Sequence, residues 1–440
     1  MSRRLTVIKK LLLLTGVVCI SLFQANAETC VTAECHADIK QYEVLHAPVE
    51  ADECTTCHLM DDYEQHIAKP SEFHEFTSPA DDGPVCLVCH DEKGGKEFVH
   101  APVEGGDCTA CHNPHGGTNQ YMLITATESE TCFQCHENDK MSKKFLHGPV
   151  GAGECASCHD PHSSDHQYQL KAAKDELCFI CHSDKKEDLS KVSVHAPVAD
   201  DCTLCHDPHN SDTKFHLKAE DEKSLCLTCH GDMDPDFKEN ILNAKYKHQP
   251  VEDGSCGECH NPHASDFGQL LRSDTKQICF ECHKDLGNRI EHSQYIHAPV
   301  EFDGCNACHN VHGSGNPFIL YEHFPKTFYN QYTDGMYKLC YECHDTGNLE
   351  SATTDGTGFR NGEQNLHYLH VMIPGKGRSC KACHEVHASN QPLHIRNSVP
   401  FGSGGWELPI KFTRTENGGT CVVGCHKPKT YDRENVFQNP

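Results

Sequence analysis

Thirteen times this chain sets two cysteines three residues apart with a histidine directly after the second. The groups are Cys54, Cys57, His58; Cys86, Cys89, His90; Cys108, Cys111, His112; Cys132, Cys135, His136; Cys155, Cys158, His159; Cys178, Cys181, His182; and Cys202, Cys205, His206. The series continues with Cys226, Cys229, His230; Cys256, Cys259, His260; Cys279, Cys282, His283; Cys305, Cys308, His309; Cys340, Cys343, His344; and Cys380, Cys383, His384. Two stretched groups keep the same order: Cys30, Cys35, His36 and Cys421, Cys425, His426. The fifteen groups use every cysteine except Cys19. Two thiols one helical turn apart can form thioethers to the two vinyl groups of one porphyrin, while the adjoining imidazole swings under the iron as an axial ligand. The spacing predicts about fifteen covalently bound c-type haems.

Zinc also takes Cys and His, but its sites usually draw two separated ligand pairs into one tetrahedron, whereas here each pair carries its own histidine. A disulfide framework, the ordinary reading of an exported cysteine-rich chain, gives no reason for that histidine.

Of 36 histidines, fifteen are these proximal ligands, which leaves 21 for the sixth positions. Seven precede a Pro-Val stretch or a close relative of it: His46, His100, His147, His195, His248, His297 and His370. Six lie three residues past a proximal histidine: His115, His162, His209, His263, His312 and His387. Recurrence in register predicts that these thirteen are distal ligands, with the nearby proline fixing φ and holding the ring in place. Two positions remain, at the haem of Cys54 and Cys57, where Asp61 stands in place of the recurring histidine, and at the terminal haem. His66 or His74 is the candidate for the first and His394 for the second, with His166, His216, His292, His323 and His367 as rivals. Which distal histidine serves which iron is not readable from spacing.

The elements that carry these groups repeat every 46 to 60 residues, as in a stacked array. One kind of motif has a large apolar residue after its first cysteine (Leu87, Phe133, Phe179, Leu227, Phe280, Tyr341), and the other a small or polar one (Thr55, Thr109, Ala156, Thr203, Gly257, Asn306, Lys381). Seven haem pairs and one terminal haem result. With 8% aromatic residues and about 27 residues per haem, side chains alone make a poor core. The predicted fold is mostly irregular, with short α-helices carrying the motifs, loops rich in Pro, Gly and Asp, little or no β-sheet, and haems as the interior. Residues 28–320 read as tandem two-haem modules, and residues 321–440 as a looser region with three haem sites and long insertions at 345–379 and 388–420.

Residues 1–27 read as a signal peptide: Arg3, Arg4, Lys9 and Lys10 are basic, Leu11 to Phe23 is mostly apolar, and Ala25-Asn26-Ala27 is a cleavage site. Val17 and Val18 before Cys19 argue against lipidation. No later segment approaches the roughly 18 apolar residues of a membrane helix, so no membrane insertion of its own is expected. Net charge is -26, and without the leader 34 basic residues face 64 acidic ones, which argues against nucleic acid or anionic lipid as partner.

Stretches such as HAPVEGGDCTACHNPHGG and LCFICH resemble the doubled-CxxCH multihaem cytochromes, strongly over residues 28 to about 320. The resemblance implies electron transfer in extracytoplasmic respiration, in the periplasm or in an outer-membrane-associated or extracellular place. It implies other redox proteins as partners, among them cytochromes and quinol-linked donors, and an outer-membrane porin with an outer-surface cytochrome. Haems with both axial positions filled exchange single electrons and offer substrate no open iron, so an enzyme is not expected. Two rival readings are a multihaem oxyanion reductase with one open haem, against which stands the absence of any CxxCK motif, and a subunit of an extracellular cytochrome filament.

Overall fold

The computed structural model describes residues 36–58, 85–402 and 404–439. Each three-spaced motif within them is a single turn of helix. The amide of the histidine donates to the carbonyl of the first cysteine, at 3.0 Å for His112 and 2.9 Å for His90, so both thiols leave the same side of the turn. Where the residue after the first cysteine is small or polar, that turn is 3-10, as at Cys108–Ala110 and Cys256–Glu258. Where it is large and apolar, the turn usually ends a short α-helix, such as Glu128–Cys132, whose first turn is capped reciprocally by Thr127 and Glu130. The longest helix, Glu222–Met233, contains its whole motif and is capped by Asp221.

The chain falls into two compact units, Met1–His136 with Asp160–Gln169, and Glu137–His159 with Leu170–Pro440. One local device recurs in both. A two-residue strand just before five of the His-x-Pro-Val stretches pairs antiparallel with two residues that follow the second recurrent histidine of the next repeat, and before His248 a single bridge, Tyr246 with Ser314, takes its place. In the first unit Val44–Leu45 pairs with Gly116–Gly117, and Phe98–Val99 with Ser163–Ser164. In the second, Phe145–Leu146 pairs with Asn210–Ser211, Ser193–Val194 with Ala264–Ser265, and Tyr295–Ile296 with Ala388–Ser389. Neighbouring repeats are therefore linked through backbone hydrogen bonds.

The receiving residues are small because they are buried: Ser163, Asn210 and Ala264 have almost no exposed surface. An Ala264→Leu substitution overfills the contact with Val194 and is expected to cost about 1–3 kcal/mol, read as a lower thermal midpoint of the haem-loaded protein. An unchanged midpoint would mean that these ladders do not hold the repeats.

The expectation of little or no sheet fails at the C-terminus. Strands β1 (Ser398–Phe401), β2 (Trp406–Arg414), β3 (Gly418–Val423) and β4 (His426–Asp432) form a four-stranded antiparallel sheet in that order. Ile410 and Phe412 alternate with exposed Lys411 and Thr413, the period of a half-buried strand. The segment expected to be an insertion thus builds most of this sheet.

Buried apolar side chains also concentrate here. Leu320, Phe324, Tyr337, Leu349 and Val371 form one cluster, and Ala382, Val399 and Ile410 another. Among the described residues of the preceding repeats, the buried hydrophobic residues are Phe179, Ile241, Ala264 and Ile290. Among the described residues no helix is long and apolar enough to cross a membrane.

Candidate cofactor sites

Six proximal histidines with a small or polar motif residue, from His112 to His384, each open a loop that returns to them eleven residues later, closed by bridges such as His112 with Leu123 and His309 with Leu320. The Nδ1–H of the proximal ring donates to a carbonyl nine residues on: His112 to Tyr121 at 2.7 Å, His206 to Phe215 at 2.6 Å, His260 to Gln269 at 2.9 Å, and His384 to Leu393 at 3.0 Å. In most of these loops that carbonyl belongs to the first of two consecutive residues in left-handed backbone, Phe215 and His216 or Phe318 and Ile319 among them. Such non-glycine residues cost of order 1–3 kcal/mol each. The bond orients the ring and leaves Nε2 as the nitrogen with a lone pair. Sequence reading missed this acceptor; the constant nine-residue spacing was its only signal.

The histidines before Pro-Val are held the same way by the next repeat. Nδ1 of His46, His100 and His195 donates to the carbonyls of Pro114, Pro161 and Pro262, at 3.0, 3.0 and 2.9 Å. Each of those prolines immediately precedes the second recurrent histidine.

These constraints bring the rings together in twelve pairs. His46 faces His90, His100 faces His136, His147 faces His182, His195 faces His230, His248 faces His283 and His297 faces His344. His115 faces His58, His162 faces His112, His209 faces His159, His263 faces His206, His312 faces His260 and His387 faces His309. Ring centroids are 5.8–6.3 Å apart and the planes are within 27° of parallel. Two imidazole–metal bonds of roughly 2 Å each, plus the distance from each nitrogen to its ring centre, span about 6 Å. The pairs therefore fit an iron held between two imidazoles.

The pattern resolves what spacing left open. A histidine before Pro-Val faces the proximal histidine of the next large-apolar motif, whereas a histidine three past a proximal one faces the proximal histidine of the preceding small-residue motif. His58 accordingly faces His115; the candidates raised for it, His66 and His74, lie outside the described residues, as do Cys30 and Cys35.

At the C-terminus the rings are arranged differently. His394 stands edge-on to His297 at 5.4 Å and does not face His426. His216 stands against His147 in the same way, and the buried Nδ1 of each finds no hydrogen-bond partner. Burial holds His370 and His367 below the ordinary histidine range, and both rings pack against Phe359. Cys421 lies on β3, paired with Phe412 and Lys429, and His426 opens β4. This stretched motif sits on a hairpin rather than on a helical turn. His370→Ala is expected to give one high-spin iron in the oxidised protein's electron paramagnetic resonance spectrum, and His394→Ala none; the reverse result would restore His394.

Burial, then the facing imidazole, holds His115, His248, His263 and His312 below the ordinary histidine range, and takes His387 down to about 4. Neutral imidazole is the form that donates a lone pair to metal. Burial pushes the Cys178 and Cys421 thiols up to about 11.

Thiols of successive motifs also meet. Cys86 and Cys108 hydrogen-bond in the first unit, and so do Cys178 and Cys202, Cys226 and Cys256, Cys279 and Cys305, and Cys340 and Cys380 in the second. An interior cavity of about 3210 Å³ runs along the cysteines and histidines from His195 to Asn439, several times the roughly 300–1,000 Å³ of an ordinary ligand pocket. Among the described residues no group of three or more His, Cys, Asp or Glu side chains is gathered around one point.

Residues 100–141, 147–187, 195–235, 248–288 and 297–348 each match the family model described as the doubled CXXCH motif. The chain belongs to the doubled-CXXCH family of multihaem c-type cytochromes. Every matched stretch of this cytochrome begins on a histidine that precedes Pro-Val, so the family unit carries the distal ligand of its own second motif. No match was found among curated proteins.

Proposed function

We propose that this cytochrome is an exported electron carrier with about fifteen covalent haems, nearly all closed by two histidines, serving extracytoplasmic respiration. Bound haem supplies one-electron exchange between ferric and ferrous iron. The chain's residues do the rest. The cysteine pairs would anchor each group, the facing imidazoles would bind its iron from either side, and the backbone carbonyls hold those imidazoles in one tautomer. The closeness of the cysteine side chains of consecutive motifs places neighbouring groups within electron-exchange range, so that within each unit the order of motifs is the order of conduction.

The observation that carries this reading is the set of twelve facing histidine pairs, which leaves a substrate no iron to bind at those sites. Purified, reduced protein is expected to bind carbon monoxide or nitrite at well under one equivalent per chain while all its haem is rapidly reoxidised by an outer-sphere acceptor. Stoichiometric binding with turnover of an oxyanion would replace the carrier by a reductase.

The strongly acidic chain suits a periplasmic or outer-membrane-associated carrier whose redox partners present basic docking faces. Those partners are other cytochromes or quinol-linked donors on one side and, on the other, an outer-membrane porin with an outer-surface cytochrome.

A further inference from the structure

In five of the small-residue motifs the chain makes the same tight turn between the proximal histidine and the distal histidine three positions on, closed by the side chain directly after the proximal histidine. Its oxygen accepts the backbone N–H of the distal histidine: Asn113 from His115 at 3.1 Å, Asp160 from His162 at 3.0 Å, Asp207 from His209 at 2.9 Å, Asn261 from His263 at 3.1 Å, and Asn310 from His312 at 3.3 Å. For the turn itself Asn and Asp are interchangeable, since either oxygen accepts the bond. They are not interchangeable for the imidazole beside it. The Asp160 carboxylate lies 3.7 Å from Nδ1 of His162, and that of Asp207 lies 3.9 Å from Nδ1 of His209. These distances are too long for a hydrogen bond but short for a full charge acting on a partly buried ring.

We infer that Asp160 and Asp207 lower the reduction potentials of the haems held between His112 and His162 and between His159 and His209, relative to the haems whose turns carry Asn. The inference rests on the facing pairs binding iron, as proposed above. A carboxylate beside the axial imidazole favours ferric iron, which carries one more positive charge than ferrous iron, and strengthens the imidazole as a donor.

The aspartates have a structural alternative. Asp160 approaches Lys96 at 3.8 Å, and Asp207 interacts electrostatically with Lys143; each lysine lies four residues before a Pro-Val histidine, so the pairs could serve only to clip repeats together. Lys93 acts on His162 as well, and Lys140 and Asp139 on His209. A clip and a tuning charge respond differently to substitution. Removing either partner weakens a clip equally, whereas removing the aspartate raises the potential and removing the lysine lowers it.

The test is a potentiometric titration of the haem-loaded protein, followed as the difference between variant and parent. Asp160→Asn and Asp207→Asn are each expected to move about one haem's worth of the curve upward, with a threefold to tenfold change in the ferrous-to-ferric ratio, tenfold being about 59 mV for one electron. Lys96→Met is expected to move the same haem downward, and Asn261→Asp to lower the haem between His206 and His263. Superimposable curves for both Asp160→Asn and Lys96→Met, or shifts of the same sign, would overturn the inference. His162→Ala is the control. If it opens no axial position, the pairing of His112 with His162 fails; if it does while Asp160→Asn leaves the curve in place, the tuning role alone fails.

Discussion

Replacing His263 with alanine is expected to open the haem held by Cys202 and Cys205, not the haem of its own motif at Cys256 and Cys259. Although His263 is three residues from His260, its ring faces His206 at 6.0 Å, and the loop after His260 directs that ring toward His312 instead. Carbon monoxide binding by the reduced protein should rise from a small fraction of an equivalent to about one equivalent per chain. Serine at Cys202 and Cys205 added to this variant should abolish the new binding, whereas serine at Cys256 and Cys259 should leave it. If the second pair abolishes it and the first does not, ligation is local and the crossed scheme is wrong. The converse substitution, His195→Ala, should open the haem of Cys226 and Cys229, because His195 faces His230. The distances behind these assignments come from pairing between repeats, so a change in one repeat is felt in the iron of another.

The chain made without haem attachment is expected to lose its cooperative unfolding transition. Outside the C-terminal region the buried apolar residues are few, and the cavity along the motifs of the second unit is far larger than side chains could close by relaxing. Ordering a residue costs roughly 1–2 kcal/mol in backbone entropy alone, which these repeats cannot offset without the cofactor's apolar faces. Folding is then coupled to attachment, as in small metal-dependent domains. Calorimetry of haem-free material should show no sharp transition from the repeats, while protection from amide exchange survives in β1–β4, where Val399, Ile410, Phe412 and Tyr431 form a core of side chains. A full-length cooperative melt of haem-free protein would show that the polypeptide supplies the core after all.

The local chemistry was legible because it is written in contiguous residues. Cys-x-x-Cys-His is a complete anchoring unit within one turn, and it needs no partner elsewhere in the chain. The thirteen recurrent histidines were legible for a related reason, since their register with the motifs exposes them without any knowledge of contacts. His367 shows the limit of that method. It occurs once, in a stretch that matches no other repeat, yet the helix Leu366–Val371 places it and His370 on one side, where both rings pack against Phe359. The sheet β1–β4 was hidden in the same way. Its alternating pattern is short, interrupted by glycines, and contains a motif whose described relatives lie on helical turns.

From its order of residues alone, this chain determined the number of anchoring groups, the identity of the proximal ligands and the scarcity of apolar side chains to fill an interior. Tertiary structure alone decided which imidazole faces which, because half of the facing pairs join residues from different repeats and the distal rings are held by antiparallel ladders about 65 to 95 residues apart in sequence. It also decided which carbonyl orients each ring and where a carboxylate stands beside one. Bonds that close within a turn are properties of sequence; bonds that close between repeats exist only once the repeats have docked.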